Sequence, residues 1–255
     1  MKLYEVKGTY KQSLSEEEAV KLLPKCSAAL HFTDAPIVRG MTGFADFYLL
    51  RGEYGKRKSA NTNNIYTLIL SAVLGKKGYP KRSASIICAN HENLEYADGY
   101  GNTYMILPFN GVGIGVCPEY DMYFTEITLF GKQYSIHKLN RYFEDLFDFL
   151  HLELRENTTY YQFIQLLKKA IAHKDFLKFR DHEVFAGFTV ENAQNIIEHA
   201  YGTANFNLTT TATPEFFNDG TDHELWIGGP CLADKYDKFK QFVNTHRQIR
   251  KNTKK

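Results

Sequence analysis

The chain has 255 residues, enough to bury a sizeable core and better suited to one domain than to two. Its 44% hydrophobic and 24% charged content is that of a water-soluble globular protein, and a formal net charge of +2 argues against a domain that grips nucleic acid through a strong basic excess. No apolar run is long enough to span a membrane and residues 1–5 carry no apolar leader core, so a cytoplasmic, non-membrane protein is expected.

Residues 1–12 alternate as a short strand does, and Ser15-Glu16-Glu17-Glu18 has the form of a capping box opening a helix through Ala19, Val20, Leu22 and Leu23. Pro24 kinks or ends it. Ala35-Pro36-Ile37-Val38-Arg39-Gly40 is an apolar run closing on arginine and glycine. On a strand this sets the guanidinium at the strand's end, where a cleft would lie, and Gly40 lets another group approach the backbone. A surface arginine in a salt bridge explains the same residues. The polar stretch 59–64 can cap a helix over 65–74 that stops at Gly75; it is apolar nearly all round, which predicts deep burial.

The turn Gly78-Tyr79-Pro80 leads into Lys81-Arg82-Ser83-Ala84-Ser85-Ile86-Ile87-Cys88-Ala89, a polar Arg-Ser-x-Ser head running into an apolar strand. By alternation alone, Ser83 and Ser85 read equally as that strand's solvent face. Residues 90–102 form a polar helix or loop ending in Tyr100-Gly101. The runs 103–109 and 112–117, joined through Asn110-Gly111, predict a hairpin. Gly111-x-Gly113-x-Gly115 is not a phosphate loop, because no helix follows to present its amides.

Residues 123–130 alternate as a strand. Helical spacing then governs Leu139, Tyr142, Phe143, Leu146, Phe147 and Leu150, next Tyr160, Phe163, Ile164, Leu167 and Ile171, and finally Val190, Ala193, Ile196, Ile197 and Ala200. The histidines of this block, His151, His173, His182 and His199, lack metal-ligand spacing. A linker at 209–214 and the turn Asn218-Asp219-Gly220 precede Asp222-His223-Glu224-Leu225-Trp226-Ile227, a short strand that breaks and resumes to Ala233. An amphipathic helix follows through Tyr236, Phe239, Phe242 and Val243. The basic tail 246–255 lacks the apolar residues needed to pack and is expected to be solvated and flexible. Cys26, Cys88, Cys117 and Cys231 form no Cys-x-x-Cys pair and read as reduced, buried thiols. The 15% of aromatic residues suits a bulky core or a cleft that stacks flat rings.

An arginine at 39, the Ser83-x-Ser85 head and Glu224, in that order, resemble the ADP-ribosyltransferases of the Arg, Ser-x-Ser, Glu type. With Tyr79-Pro80-Lys81-Arg82, Ala97, Tyr100-Gly101 and Leu107-Pro108-Phe109-Asn110-Gly111, the pattern is most similar to phage-encoded and toxin-like members. The similarity covers about 36–117 and 220–233 and leaves the helical block outside. It implies one α+β domain over 1–255, with a split β-core forming an NAD cleft, a helical insertion near 137–202 and the free tail.

The resemblance also implies roles. Glu224 and Ser83 would be catalytic, while Arg39, Gly40, Ser83, Ser85 and Tyr100 would bind NAD as substrate. ADP-ribose would pass to a protein or nucleic-acid acceptor, with nicotinamide released and no metal required. The ribose–nicotinamide bond breaks through an oxocarbenium-like state with a leaving group that is already cationic. An anion held near the developing charge is therefore worth more than a strong acid. Two departures bear on this. Ala84 stands between the serines where the family has threonine, and Asp222 precedes the glutamate by two where the family has Glu or Gln, which leaves the acceptor class open. Glu126 lies much closer to Ser83 in sequence and is the alternative catalytic glutamate; Glu224 is preferred because it opens a short strand after a polar turn. Plain NAD hydrolysis and a non-catalytic protein- or nucleic-acid-binding module are the alternative functions.

Overall fold

The computed structural model describes residues 9–31, 37–53, 65–90, 100–155, 158–180, 182–210, 221, 223–239 and 241–242. In chain order the elements are β1 (Thr9–Leu14), α1 (Glu16–Leu22), β2 (Ile37–Met41), β3 (Phe47–Gly52), α2 (Ile65–Val73), β4 (Ile86–Asn90), β5 (Asn102–Pro108), β6 (Gly113–Val116), β7 (Glu126–Leu129) and β8 (Lys132–Ser135). Then come α3 (Ile136–Phe149), α4 (Tyr160–Ile171), α5 (Leu177–Arg180), α6 (Ala193–Gly202), β9 (Asn207–Thr210), β10 (Glu224–Ile227) and β11 (Cys231–Lys235). The fold is mixed α+β, as expected.

The chain divides into two compact units. The first takes its residues from Met1–Ala60, Tyr79–Tyr120 and Asn207–Lys255, the second from Asn61–Gly78 and Asp121–Phe206. The first unit holds a nine-stranded sheet in the order β1-β3-β11-β5-β2-β4-β10-β6-β9, antiparallel at every pair. Its core combines sheet residues such as Ile37, Leu50, Ile86, Ile106, Leu225 and Ile227 with Ala19, Leu23 and Cys26 from α1 and the 3-10 turn after it. Phe239 and Phe242, near the end of the described chain, join the same core.

The ladder at the middle of the sheet is short. β2 pairs with β5 from Ile37 to Met41, but with β4 only at Ile37 opposite Asn90 and Val38 opposite Ala89. Beyond Val38 the two strands part, and Arg39 is the first residue past the parting. The sheet also coils. Gly52, at the end of β3, lies against Ala84 just before β4, although β11, β5 and β2 stand between those strands in the sheet order.

The second unit is a helical body with the small β7–β8 hairpin. Its core is aromatic: Phe143 meets Phe163 edge to face at 5.5 Å, and Phe185 lies 6.1 Å from Phe143 and 6.0 Å from Phe176. The expected helical spacing is realised in α3, α4 and α6, and α2 is buried at Ile65, Tyr66, Thr67, Ile69, Leu70 and Val73.

Four expectations need correction. Runs 103–109 and 112–117 do not form a hairpin: β5 lies between β2 and β11, and β6 between β10 and β9. The turn residues are captured elsewhere. Asn110 donates from its backbone to Lys25 O at 2.6 Å and accepts from Ala28 N at 2.9 Å, so it ties the loop to the segment after α1. Residues 83–85 are not strand; Arg82–Ala84 is a 3-10 turn and β4 starts at Ile86. Strand 123–130 shortens to β7, because Asp121 caps a 3-10 turn over Met122–Phe124. The start of the expected linker at 209–214 belongs to β9.

Candidate active site

The strands carrying Arg39, the segment after the Arg-Ser-x-Ser head and Glu224 are β2, β4 and β10, which are consecutive neighbours in the sheet. Register then sets the faces. Val38 is opposite Ala89 and Ala89 is opposite Glu224, so these three share a face, while Arg39 belongs to the other. One terminal nitrogen of the Arg39 guanidinium donates to Ile87 O on β4, and the other lies 3.4 Å from Thr9 Oγ1 on β1. Among the described residues its buried Nε has no partner and it forms no ion pair with a carboxylate. Arg39 therefore ties β2 to β4 and β1 where the two central strands part.

Glu224 is met by a different arginine. Arg82, from the 3-10 turn, donates through Nε to Glu224 Oε1 at 3.0 Å and through a terminal nitrogen to Oε2 at 3.3 Å. The indole of Trp226 donates to the same Oε1 at 2.6 Å, and the Arg82 guanidinium carbon sits 6.0 Å from that ring's centroid. Glu224 and Trp226 are two apart on β10 and share its face, whereas Leu225 and Ile227 point into the core. Arg82 and Glu224 are each 5% exposed, so the ion pair is removed from water.

The turn that delivers Arg82 is braced on several sides. Ser85 Oγ donates to Lys81 O at 2.8 Å, and the Ala84 and Ser85 amides bond to Lys81 O and Arg82 O. Pro80 sits over Gly113, Gly115 and Gly228; a Cβ on Gly228 would lie 2.9 Å from the proline ring. Gly115, directly across from Trp226, leaves room for the indole, whose ring would be 3.3 Å from a Cβ there. Gly113 and Gly115, two of the three glycines that imitate a phosphate loop, thus clear a bed for Pro80 and Trp226.

The start of β10 is anchored through the backbone. Glu224 N donates to Glu119 O at 3.0 Å, and Cys117 N to Glu224 O at 2.9 Å. His223 N donates to Asn90 Oδ1 at 3.0 Å, and its ring spans Cys117 O and Thr221 Oγ1, each at 2.7 Å. A carbonyl only accepts, so Nδ1 carries a proton and donates to Cys117 O.

Of the residues expected in the site, Arg39, Ser83, Ser85, Gly40, Tyr100 and Glu224 all belong to the first unit. Ser83 is half-buried in the turn, and Ser85 is buried and supports the turn rather than a strand face. Gly40 lies opposite Thr103 on β2, and Tyr100 is half-buried before Gly101. Gly101, at φ 124, lies so close to Met41 O that a Cβ would come within 2.8 Å of it. Asp222 and the tail fall outside the described residues. Glu126 is exposed on β7 in the second unit, paired across to Ser135. The four cysteines are buried and free, and no cluster of three potential metal ligands occurs among the described residues.

Arg82, Trp226 and His223 were not among the expected site residues. Period-2 alternation from Glu224 reaches Trp226, and His223 adjoins Glu224, so both were within reach of strand logic. Arg82 adjoins Ser83, but its role depends on a turn that alternation does not foresee. Comparison of the chain with protein-family models, with curated proteins and with solved structures gives no match. Among the described residues, no helix is long and apolar enough to cross a membrane.

Proposed function

We propose that the protein transfers ADP-ribose from NAD to a macromolecular acceptor, protein or nucleic acid. In this reaction the bond between ribose C1′ and the pyridinium nitrogen breaks and its electron pair leaves with nicotinamide. The acceptor's nucleophilic atom bonds to C1′ and its proton passes to solvent. The observation that carries the reading is that β2, which bears Arg39, β4, which follows the Arg-Ser-x-Ser turn, and β10, which bears Glu224, are consecutive neighbours in the sheet although they come from opposite ends of the chain. Arg39, without a carboxylate partner among the described residues, suits a pyrophosphate group. Glu224 is the fixed anion suited to the developing positive charge. Glu126 is exposed on the two-stranded hairpin of the other unit.

Nicotinamide release from NAD by the purified protein, with a bacterial lysate as acceptor, tests this. Glu224→Gln should lower turnover by about a hundredfold or more and Glu126→Gln should leave it unchanged. Release that does not depend on the lysate identifies water as the acceptor. No release in any mixture, with no NAD binding by calorimetry, refutes the reading.

A further inference from the structure

We infer that Arg82 is the positioning residue of Glu224, with Trp226 as its second constraint, an assignment that rests on the transferase reading above. A glutamate on a strand has three rotatable side-chain bonds. Catalysis through a fixed anion requires that they be locked before the substrate arrives. The two donations from Arg82 fix the plane of the carboxylate, and the indole N–H fixes the position of Oε1 within it. The Ser85 hydroxyl acts one step further back, holding through Lys81 O the turn on which Arg82 is mounted.

Stability alone does not account for this arrangement. Taking a guanidinium and a carboxylate out of water costs most of what their attraction returns, and an apolar pair of like volume packs as well or better. Here both charges are buried beside an apolar core, on a turn held by Pro80 against three glycines and by Gly52 against Ala84. So many supports around one charged pair make sense if its geometry matters more than its energy.

Steady-state nicotinamide release by Arg82→Met, Arg82→Lys, Trp226→Phe and the parent protein provides the test. Arg82→Met should lower kcat by about a hundredfold while KM changes less than about threefold. Arg82→Lys, which restores the charge without the fork, should recover about tenfold of that loss, and Trp226→Phe should lower kcat by about tenfold. A brace that serves only stability would lower activity in proportion to the unfolded fraction read by circular dichroism and would show no split between kcat and KM. If Arg82→Met does not fold, Arg82→Lys decides: folded with parent kcat, it overturns the inference. Folded Arg82→Met at parent kcat, or a loss confined to KM, overturns it equally. A parent protein that leaves NAD intact removes the transferase reading and this assignment together, an outcome distinguishable because it appears without any substitution.

Discussion

Asp234 is a strained ionisable residue of the first unit. It sits on β11 between Phe47 and Met105, is fully buried, and among the described residues neither carboxyl oxygen has a hydrogen-bond partner. Phe47 packs against Phe242 with ring centroids 4.7 Å apart and planes tilted by 49°. Burial pushes the Asp234 pKa up to about 8, with the charges of Asp46, Asp237 and Glu16 adding to the rise and Lys238 opposing it. The sign follows from proton counts. An unfolded aspartate loses its proton near pH 4, whereas folded Asp234 keeps it to about 8, so between those values the native state binds one proton more. Its stabilising effect is complete at acid pH, fades as pH rises through that window at up to about 1.4 kcal/mol per unit, and is constant above it. Asp234→Asn should remove this slope. Urea unfolding from pH 5 to 9 should show the variant gaining on the parent up to about pH 8 and holding its lead beyond. Parallel curves would mean that Asp234 is ionised or hydrated in the native protein.

At the scale of elements, features made by neighbours in sequence were legible, and features made by distant partners were not. The capping box at Ser15 has both halves, Glu18 N on Ser15 Oγ at 3.3 Å and Ser15 N on Glu18 Oε2 at 2.8 Å, and all its atoms lie within one turn. The hairpin around Asn110-Gly111 failed because the partners of Asn110 are Pro24, Lys25, Ser27 and Ala28, which no local rule connects to it. The serine strand failed similarly. Its first residues are bent into a 3-10 turn that rests against Gly52, where a Cβ would lie 1.8 Å from Ala84 O. That contact yields a second prediction. Gly52→Ala must displace either β3 or the turn, at a cost of about 3 kcal/mol in urea unfolding, and should lower NAD turnover because Arg82 rides on the displaced turn. Stability within about 0.5 kcal/mol of the parent would show that the turn stands without β3.

For the whole molecule, composition and periodicity conveyed an α+β chain with a helical block, but they could not convey that α2 belongs to the same compact unit as that block. Nor could spacing place β10 beside β4, since strand order in a sheet is fixed by long-range pairing. The sequence does mark the segments around Arg39, Ser85 and Glu224, whose strands meet in the sheet, but not the faces or partners of these residues. The division into units makes NAD binding testable without catalysis. Trp226 is the only tryptophan and lies in the first unit with every proposed site residue, whereas α2 to α6, which dominate the helical signal, lie in the second. A ligand at a hundred times its Kd stabilises the native form it binds by about 2.7 kcal/mol. NAD at that excess should therefore raise the thermal midpoint followed by Trp226 emission by roughly 5–10 °C. Glu224→Gln should keep most of that rise, because the pyrophosphate contact assigned to Arg39 is untouched, and Arg39→Ala should lose most of it. A rise in the helical midpoint alone would locate the nucleotide in the second unit and displace Arg39 as its anchor.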